Sequence, residues 1–249
     1  MSFDPASPMV FIKGSATITQ VTHFEFSIEQ KTTDIKIQQL MDEGFTWICA
    51  NQLDAAVQAF SDACKLETRN VHLMGKARAN LGVALAKLGK TQEAQRCYRE
   101  VETKEVSADL KALCFSNQAL ILMEEGRIEL AFTYLLMALQ CNPQNQALLA
   151  RIANNHGIIY QRQNKLTDAR ESFLGGLEFV QGTDDIRTMV RLLNNLAAVS
   201  LALEELDAAK RYLDDIAKCL KEEAEIPYQL AQMIAQNRQL LNRRLRSIT

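Results

Sequence analysis

The chain has 249 residues, 47% of them hydrophobic and 23% charged, which is enough for one large domain or a repeat array with a substantial core. Its formal net charge of −2 argues against a general binder of nucleic acids or anionic membranes, because such proteins carry a basic excess. No apolar run approaches the roughly 20 residues of a membrane-spanning helix, so we expect no membrane insertion.

The first 36 residues differ in character from the rest. The stretches MVFIK, ATITQV and HFEFSI are short and rich in Thr, Val, Ile and Phe, and the last alternates Phe24, Phe26 and Ile28. This pattern is typical of strands, and no charged leader precedes an apolar core as in a secretory signal. We predict a strand-like or partly disordered segment over 1–36, which packs on the first repeat, pairs with a partner or stays disordered.

Cysteines and histidines offer no candidate for catalysis or metal binding. The six cysteines lie far apart and never as C-x-x-C, so we interpret most of them as small buried hydrophobes in a reducing compartment. The three histidines are isolated, and no phosphate-loop, H-E-x-x-H or G-x-S-x-G motif occurs in the sequence. We therefore expect a cytoplasmic protein without enzymatic activity, metal or cofactor.

From about residue 37 onward, one helical frame fits the chain five times. A small residue recurs in a first helix, and we call these five the marker residues: Gly44, Gly82, Ala119, Gly157 and Ala197. At position +12 from the marker stand Ala56, Ala94, Ala131, Ala169 and Ala209, and at +16 stand Phe60, Tyr98, Leu135, Phe173 and Leu213. Two antiparallel helices approach closely only where side chains are small, while a large residue fills the wedge between them. The frame predicts five helical hairpins.

This frame resembles the tetratricopeptide repeat, whose pattern is W-x2-L-G-x2-Y, then alanine, an aromatic residue and often proline, with a period of about 34 residues. The matching residues are Leu40, Gly44, Trp47, Leu81, Gly82, Phe115, Ala119, Leu122, Pro143, Gly157, Tyr160, Leu193, Leu196 and Ala197. The resemblance implies an all-α, right-handed α-solenoid of about five helix-turn-helix repeats within 37–223. The repeats are expected at about 37–70, 75–108, 112–145, 150–183 and 190–223.

Two features extend this frame. The marker residues recur at spacings of 38, 37, 38 and 40, which predicts longer helices or longer loops between repeats than the family period needs. After the fifth repeat, residues 226–249 form one more predicted helix that caps the last repeat. Its apolar stripe is Ile226, Leu230, Met233, Ile234, Leu240 and Leu241.

The resemblance further implies that the first helix of each repeat lines a concave groove. Positions −6, −2, +1 and +5 are predicted to point away from the packing stripe. Position −2 holds Asp42, Asn80, Asn117, Asn155 and Asn195. Asparagine is a poor helix-interior residue, and its carboxamide both donates and accepts hydrogen bonds. The four asparagines resemble the ladder of peptide-binding arrays and are predicted to hold an extended peptide; alternatively, they bond to neighbouring helices.

The same face carries basic residues on either side of an apolar repeat. The basic residues are Lys76, Lys87, Arg151, Arg162 and Arg191, and the third repeat places Leu113, Leu120 and Glu124 there. Such a groove would suit an acidic peptide with a hydrophobic anchor. The first repeat offers Gln38, Asp42 and Phe45, which do not match the lysine–asparagine set that grips a chaperone C-terminus.

These observations predict a protein-interaction adaptor that binds an extended peptide segment. The alternative is a constitutive subunit of a larger assembly, of the trafficking, ciliary or ubiquitin-ligase type, which uses its outer faces and N-terminal segment as permanent interfaces. Binding of RNA is disfavoured by the near-neutral charge and by Glu124 in the middle of the face. The oligomeric state is left open.

Overall fold

A computed structural model of the chain describes residues 28–220 and 226–247, and these residues form eleven α-helices and no strand. The helices are α1 Ile28–Cys49, α2 Leu53–Lys65, α3 Val71–Lys87, α4 Thr91–Glu102, α5 Ala108–Glu124, α6 Ile128–Gln140, α7 Gln146–Arg162, α8 Leu166–Val180, α9 Ile186–Ala202, α10 Leu206–Leu220 and α11 Tyr228–Arg246. The prediction of an all-α array of helical hairpins with an additional C-terminal helix is confirmed.

The long repeat period comes from the helices rather than from the loops. The first helices α3, α5, α7 and α9 have 17 residues each. Three residues separate the two helices of every repeat, and five separate one repeat from the next. The second helices α2, α4, α6 and α8 have 13, 12, 13 and 15 residues. Because everything else is constant, the length of the second helix alone sets the uneven spacing of the marker residues.

The ends of the helices repeat in the same frame. The residues at position −12 accept a hydrogen bond from the backbone N–H three residues later and so cap the first helices; they are Asn70, Ser107, Asn145 and Asp185. At +7, in each hairpin turn, the backbone has positive φ; these residues are Asn51, Gly89, Gly126, Asn164 and Glu204. The left-handed turn predicted at Gly89 is therefore present, with φ of 82°.

The predicted boundary at residue 36 is wrong. Helix α1 begins at Ile28, so residues 28–36 are helical rather than strand-like. Asp34 explains why the helix extends this far, because its carboxylate accepts hydrogen bonds from the Thr68 hydroxyl and, at 3.4 Å, from the Asn70 amide. The strands predicted within 1–27 lie outside the described residues.

The described residues divide into two compact units, one of residues 28–122 with Gln140–Asn142, and one of Met123–Leu139 with residues 143–220 and 226–247. In the N-terminal unit, α1 and α3 each pack against α2, and α3 pairs with α4. In the C-terminal unit, α7 pairs with α8 and α9 with α10, while α11 packs on α9 and α10. The cap buries Leu230, Ile234 and Leu241 of its predicted stripe, but Leu240 is 37% exposed.

The marker glycines lie against the aromatic residue at +16. A methyl group added at Gly44, Gly82 or Gly157 would come within 3.0 Å of the ring of Phe60, Tyr98 or Phe173, respectively. Where the marker is alanine, the residue at +16 is leucine: Ala119 with Leu135, and Ala197 with Leu213. The sequence thus pairs glycine with an aromatic residue and alanine with leucine, which keeps the combined side-chain volume at the crossing nearly constant.

The substitution Gly157→Ala is expected to lower the free energy of unfolding by about 1–3 kcal/mol, because the methyl group overpacks the crossing against Phe173. The double substitution Gly157→Ala, Phe173→Leu recreates the alanine–leucine pair of the third and fifth repeats. Urea denaturation of the two single variants and the double variant measures the coupling. We expect the double variant to lose less free energy of unfolding than the two single variants lose together. A loss equal to the sum of the two single losses would contradict this explanation.

His156, at position −1, is a half-buried histidine in the C-terminal unit. Its ring stacks on that of Phe132, with centroids 5.2 Å apart, and its buried Nε2 atom has no hydrogen-bond partner among the described residues. Burial lowers the pKa of His156 from its ordinary value of 6.5 to about 4. The side chain is therefore held neutral in the folded protein.

Stability should consequently fall as the pH is lowered from 6.5 towards 4, because in this window the unfolded chain takes up a proton that the folded chain excludes. The loss from this group is on the order of 3 kcal/mol. Leucine holds position −1 in the second and fifth repeats, as Leu81 and Leu196. The substitution His156→Leu should therefore fit this position and remove that part of the pH dependence. Thermal unfolding of both proteins between pH 7 and 4 checks this, and parallel pH profiles would count against it.

Candidate interaction surface

Most of the side chains predicted to form an open face on the first helices are buried. Asn80, Asn117, Asn155 and Asn195 are 2%, 0%, 3% and 7% exposed, and Leu113, Leu120 and Arg191 are 3%, 3% and 7% exposed. Lys76 and Arg151 are half-buried, and Lys87 and Arg162 are exposed. The expectation that these positions jointly form an open surface is therefore corrected, while peptide binding by them stays a prediction.

In the C-terminal unit the carboxamides connect first helices to each other. The Nδ2 atom of Asn195 on α9 donates to Oδ1 of Asn154 on α7 at 2.9 Å. Asn154 in turn directs its Nδ2 towards Oδ1 of Asn155, at 3.5 Å. The asparagine at −2 of one repeat thus bonds to the asparagine at −3 of the preceding repeat, and the amides lie between helices.

The C-terminal helix makes the same contact. The Nδ2 atom of Asn237 on α11 donates to Oδ1 of Asn194 on α9, again at 2.9 Å. Asn194 holds position −3 of the fifth repeat, so Asn237 continues the row begun by Asn155 and Asn195. Helix α11 is therefore attached to α9 as α9 is attached to α7, in the manner of a first helix of a sixth repeat.

Guanidinium groups reinforce these attachments at the helix ends. Arg162, at +5 on α7, donates from Nη1 to the backbone oxygen of Met123 at 2.6 Å. On α11, Arg244 donates from Nη1 to the backbone oxygen of Leu201 at 2.6 Å. Each arginine satisfies a carbonyl at the C-terminal end of the preceding first helix, where four carbonyls lack intrahelical partners.

The side chain of Arg151, at −6 on α7, contacts the N-terminal end of α9. Its Nη2 atom lies 2.8 Å from Oδ2 of Asp185, the N-cap residue of α9, and its Nε atom donates to the Thr188 hydroxyl at 3.5 Å. Burial raises the pKa of Asp185, but the charge of Arg151 and the hydrogen bonds from Thr188 outweigh it and bring the pKa below its ordinary value. This ion pair joins successive first helices at their N-terminal ends.

In the N-terminal unit, Asn80 and Asn117 are as deeply buried. Asn117 hydrogen-bonds with Tyr98, the aromatic residue that packs on the marker Gly82. Burial raises the pKa of Tyr98 well above its usual range, more than the Asn117 hydrogen bond lowers it. The side chain of Asn117 is therefore part of the packed interior around the hairpin of α3 and α4.

The geometry of stacking explains why the predicted face is not open. Position −2 points away from the second helix of its own repeat, as the sequence argument assumed. On that side, however, lies the neighbouring first helix, because α1 contacts α3 and α7 contacts α9. Sequence reasoning also missed Asn154, Asn194 and Asn237, although the doubled asparagines at 154–155 and 194–195 stand in one register and could have indicated a paired role.

Comparisons with known proteins agree with this architecture. A family model described as the tetratricopeptide repeat matches residues 75–103, the hairpin of α3 and α4. No curated protein matches the sequence. None of the described helices is long and apolar enough to cross a membrane.

Several solved structures share the fold. The crystal structure of the APC/C hetero-tetramer Cut9–Hcn1 matches with a TM-score of 0.62 at 18% identity, covering 84% of this chain and 39% of that one, so this chain spans well under half of its length. A structure of PilF from Pseudomonas aeruginosa matches with a TM-score of 0.60 at 17% identity, covering 85% and 89%. A tetratricopeptide-repeat protein from Parabacteroides merdae matches with a TM-score of 0.53 at 20% identity, covering 86% and 77%.

At these identities the likeness concerns the fold. Together with the matched hairpin and the frame that recurs five times along the sequence, it shows that the chain has the fold of a tetratricopeptide-repeat array.

Proposed function

We propose that this chain is a constitutive scaffold subunit that holds a protein partner through its outer surfaces. At the coarser level, its repeats are those of protein–protein interaction scaffolds. The finer proposal rests on one observation, namely that the four amides expected to hold a peptide are buried and that one of them, Asn195, bonds its first helix to the preceding one. Amides that bond helices to each other are not available to a ligand. This arrangement favours a rigid scaffold over a receptor that binds a peptide with these side chains.

The related folds are compatible with such a role. The Cut9–Hcn1 structure is described as a hetero-tetramer of the APC/C, so one array of this fold is part of a multi-chain assembly. For this chain we propose no catalytic activity and a place in the cytoplasm, in keeping with its six cysteines, none of which forms a disulfide with another described residue.

Binding of an extended, acidic peptide is the second candidate. Lys76 and Lys87 favour it, because they lie about three turns apart on α3 and neither is buried. If a peptide binds here, Asn80 and Asn117 would hold in place the helices that contact it, or would change conformation when the peptide enters. Leu113 and Leu120 would supply the apolar anchor site only if the buried face opened.

The variants Asn154→Ala, Asn195→Ala and their combination separate the two functions. Each single substitution leaves a buried amide without its partner and should lower the free energy of unfolding by about 1–2 kcal/mol, with a favourable coupling in the double-mutant cycle. Asn242→Ala, at an exposed position of α11, is the matched control and should change stability little.

Partner retention provides the second measurement. The tagged chain is purified from its own cells, a stoichiometric partner is identified, and its retention by the variants is compared at a temperature where all remain folded. A scaffold retains the partner in every variant. Loss of the partner without coupling between Asn154 and Asn195 would instead support direct peptide capture by the amides.

A further inference from the structure

The outward face of the second helices carries an apolar patch at one place in the chain. Position +17, on the outer side of the second helix, is occupied in repeat order by Ser61, Arg99, Leu136, Leu174 and Asp214. Leu136 is 41% exposed and Leu174 39%, and Met137 beside Leu136 is 37% exposed. Isolated apolar side chains at a surface are ordinary, but α6 and α8 together expose five large ones, these three with Leu139 and Phe179, and this needs an explanation.

The three side chains lie within one unit. Leu136 and Met137 belong to α6, and Leu174 belongs to α8, the outer helix of the next repeat. The two leucines hold the same position in consecutive repeats, and Phe132 of α6 packs on His156 and Tyr160 of α7. Repeat stacking therefore predicts that both leucines lie on the same outer surface. We call Leu136, Met137 and Leu174 the outer patch.

The rim of the outer patch is acidic. Glu171 and Glu178 lie about one turn before and one turn after Leu174 and are exposed, and neither forms an ion pair with another described residue. Arg170, the cation next to Glu171 in the sequence, does not compensate them, because its Nη1 atom lies 2.8 Å from both carboxylate oxygens of Glu205. Position +14 holds Gln58, Arg96, Thr133, Glu171 and Arg211 in repeat order, and position +21 holds Lys65, Thr103, Gln140, Glu178 and Lys218. Both positions are acidic only in α8, so the negative charge is specific to this helix.

The size and charge of the patch determine what can cover it. A stable symmetric dimer needs roughly 800 Å² from each partner, which is far more than the five apolar side chains exposed on α6 and α8, each about two-fifths exposed, can supply. A second copy placed across a two-fold axis would also bring Glu171 and Glu178 near their own equivalents, and like charges across an interface oppose binding. A single helix with apolar and basic residues meets neither objection.

We propose that the outer patch binds an amphipathic helix of a partner protein, with leucine-like residues at i, i+3 or i+4 spacing and Lys or Arg about one turn away. The apolar residues cover Leu136, Met137 and Leu174, and the basic residues pair with Glu171 and Glu178. This inference rests on the scaffold function proposed above and specifies the surface and chemistry of its partner.

Two synthetic helical peptides of roughly 18 residues test the proposal on the full chain. They share one leucine stripe and differ only in whether Lys or Glu flanks it. Fluorescence anisotropy should show at least tenfold tighter binding of the Lys peptide, weakening as salt is added. Leu136→Ser with Leu174→Ser, which places at +17 the residue found at Ser61, should reduce its affinity at least tenfold.

Charge variants complete the test. Glu171→Lys with Glu178→Lys should abolish the preference for the Lys peptide, whereas Asp214→Lys, at position +17 of α10, should leave it unchanged. Equal affinity for the two peptides, or binding insensitive to the serine substitutions, overturns the proposal. Self-association of the chain in sedimentation equilibrium that the serine substitutions abolish also overturns it, because the occupant is then a second copy.

The failure of this proposal is distinguishable from failure of the scaffold function. If the partner purified from cells is retained by the Leu136→Ser, Leu174→Ser variant, the scaffold stands and the outer patch is not the contact. If the wild-type chain carries no stoichiometric partner, the scaffold function fails, whatever the peptides do.

Discussion

The interaction on which the rest of the structure depends is the hydrogen bond between carboxamides of successive first helices. It occurs from Asn195 to Asn154 and again from Asn237 to Asn194, each time at 2.9 Å. Asn154, Asn194 and Asn195 are buried and Asn237 is half-buried. Breaking the buried bond of Asn195 would leave a donor and an acceptor without water or partner, which costs more than the bond itself contributes. This contact places α9 at a defined height against α7, and α11 at a defined height against α9. Arginine contacts to terminal carbonyls add to it at the helix ends.

Within each hairpin a second constraint operates, namely how closely two antiparallel helices approach at the marker residue. Glycine against an aromatic ring and alanine against leucine are two solutions to the same packing problem. The turn within each repeat has three residues, one of them with positive φ, and the connection between repeats has five residues, one of which is the N-cap of the next helix. Since both lengths are constant, only the second helix varies in length. The outward faces of the second helices take no part in either constraint, so their composition can serve binding.

The repeats could be predicted from the sequence because size and periodicity are local properties. The markers, the alanines at +12 and the turn at Gly89 all lie where the frame placed them. The burial of Asn155 and Asn195 could not be predicted in the same way, because a helical wheel shows which direction a side chain points and not what lies there. The start of α1 at Ile28 was missed for a similar reason: Asp34 is fixed by Thr68 and Asn70, which are more than 30 residues away in the sequence.

The most direct measurement of the central claim is hydrogen exchange of the asparagine side-chain amides by NMR, in protein labelled with ¹⁵N on asparagine. The exposed turn asparagines Asn51 and Asn164 serve as internal references. We predict that the amide protons of Asn195 and Asn237 exchange far more slowly than those of the references, because they are held in hydrogen bonds between helices. Exchange as fast as in the turns would contradict the claim, since the amides would then face water and be available to a ligand.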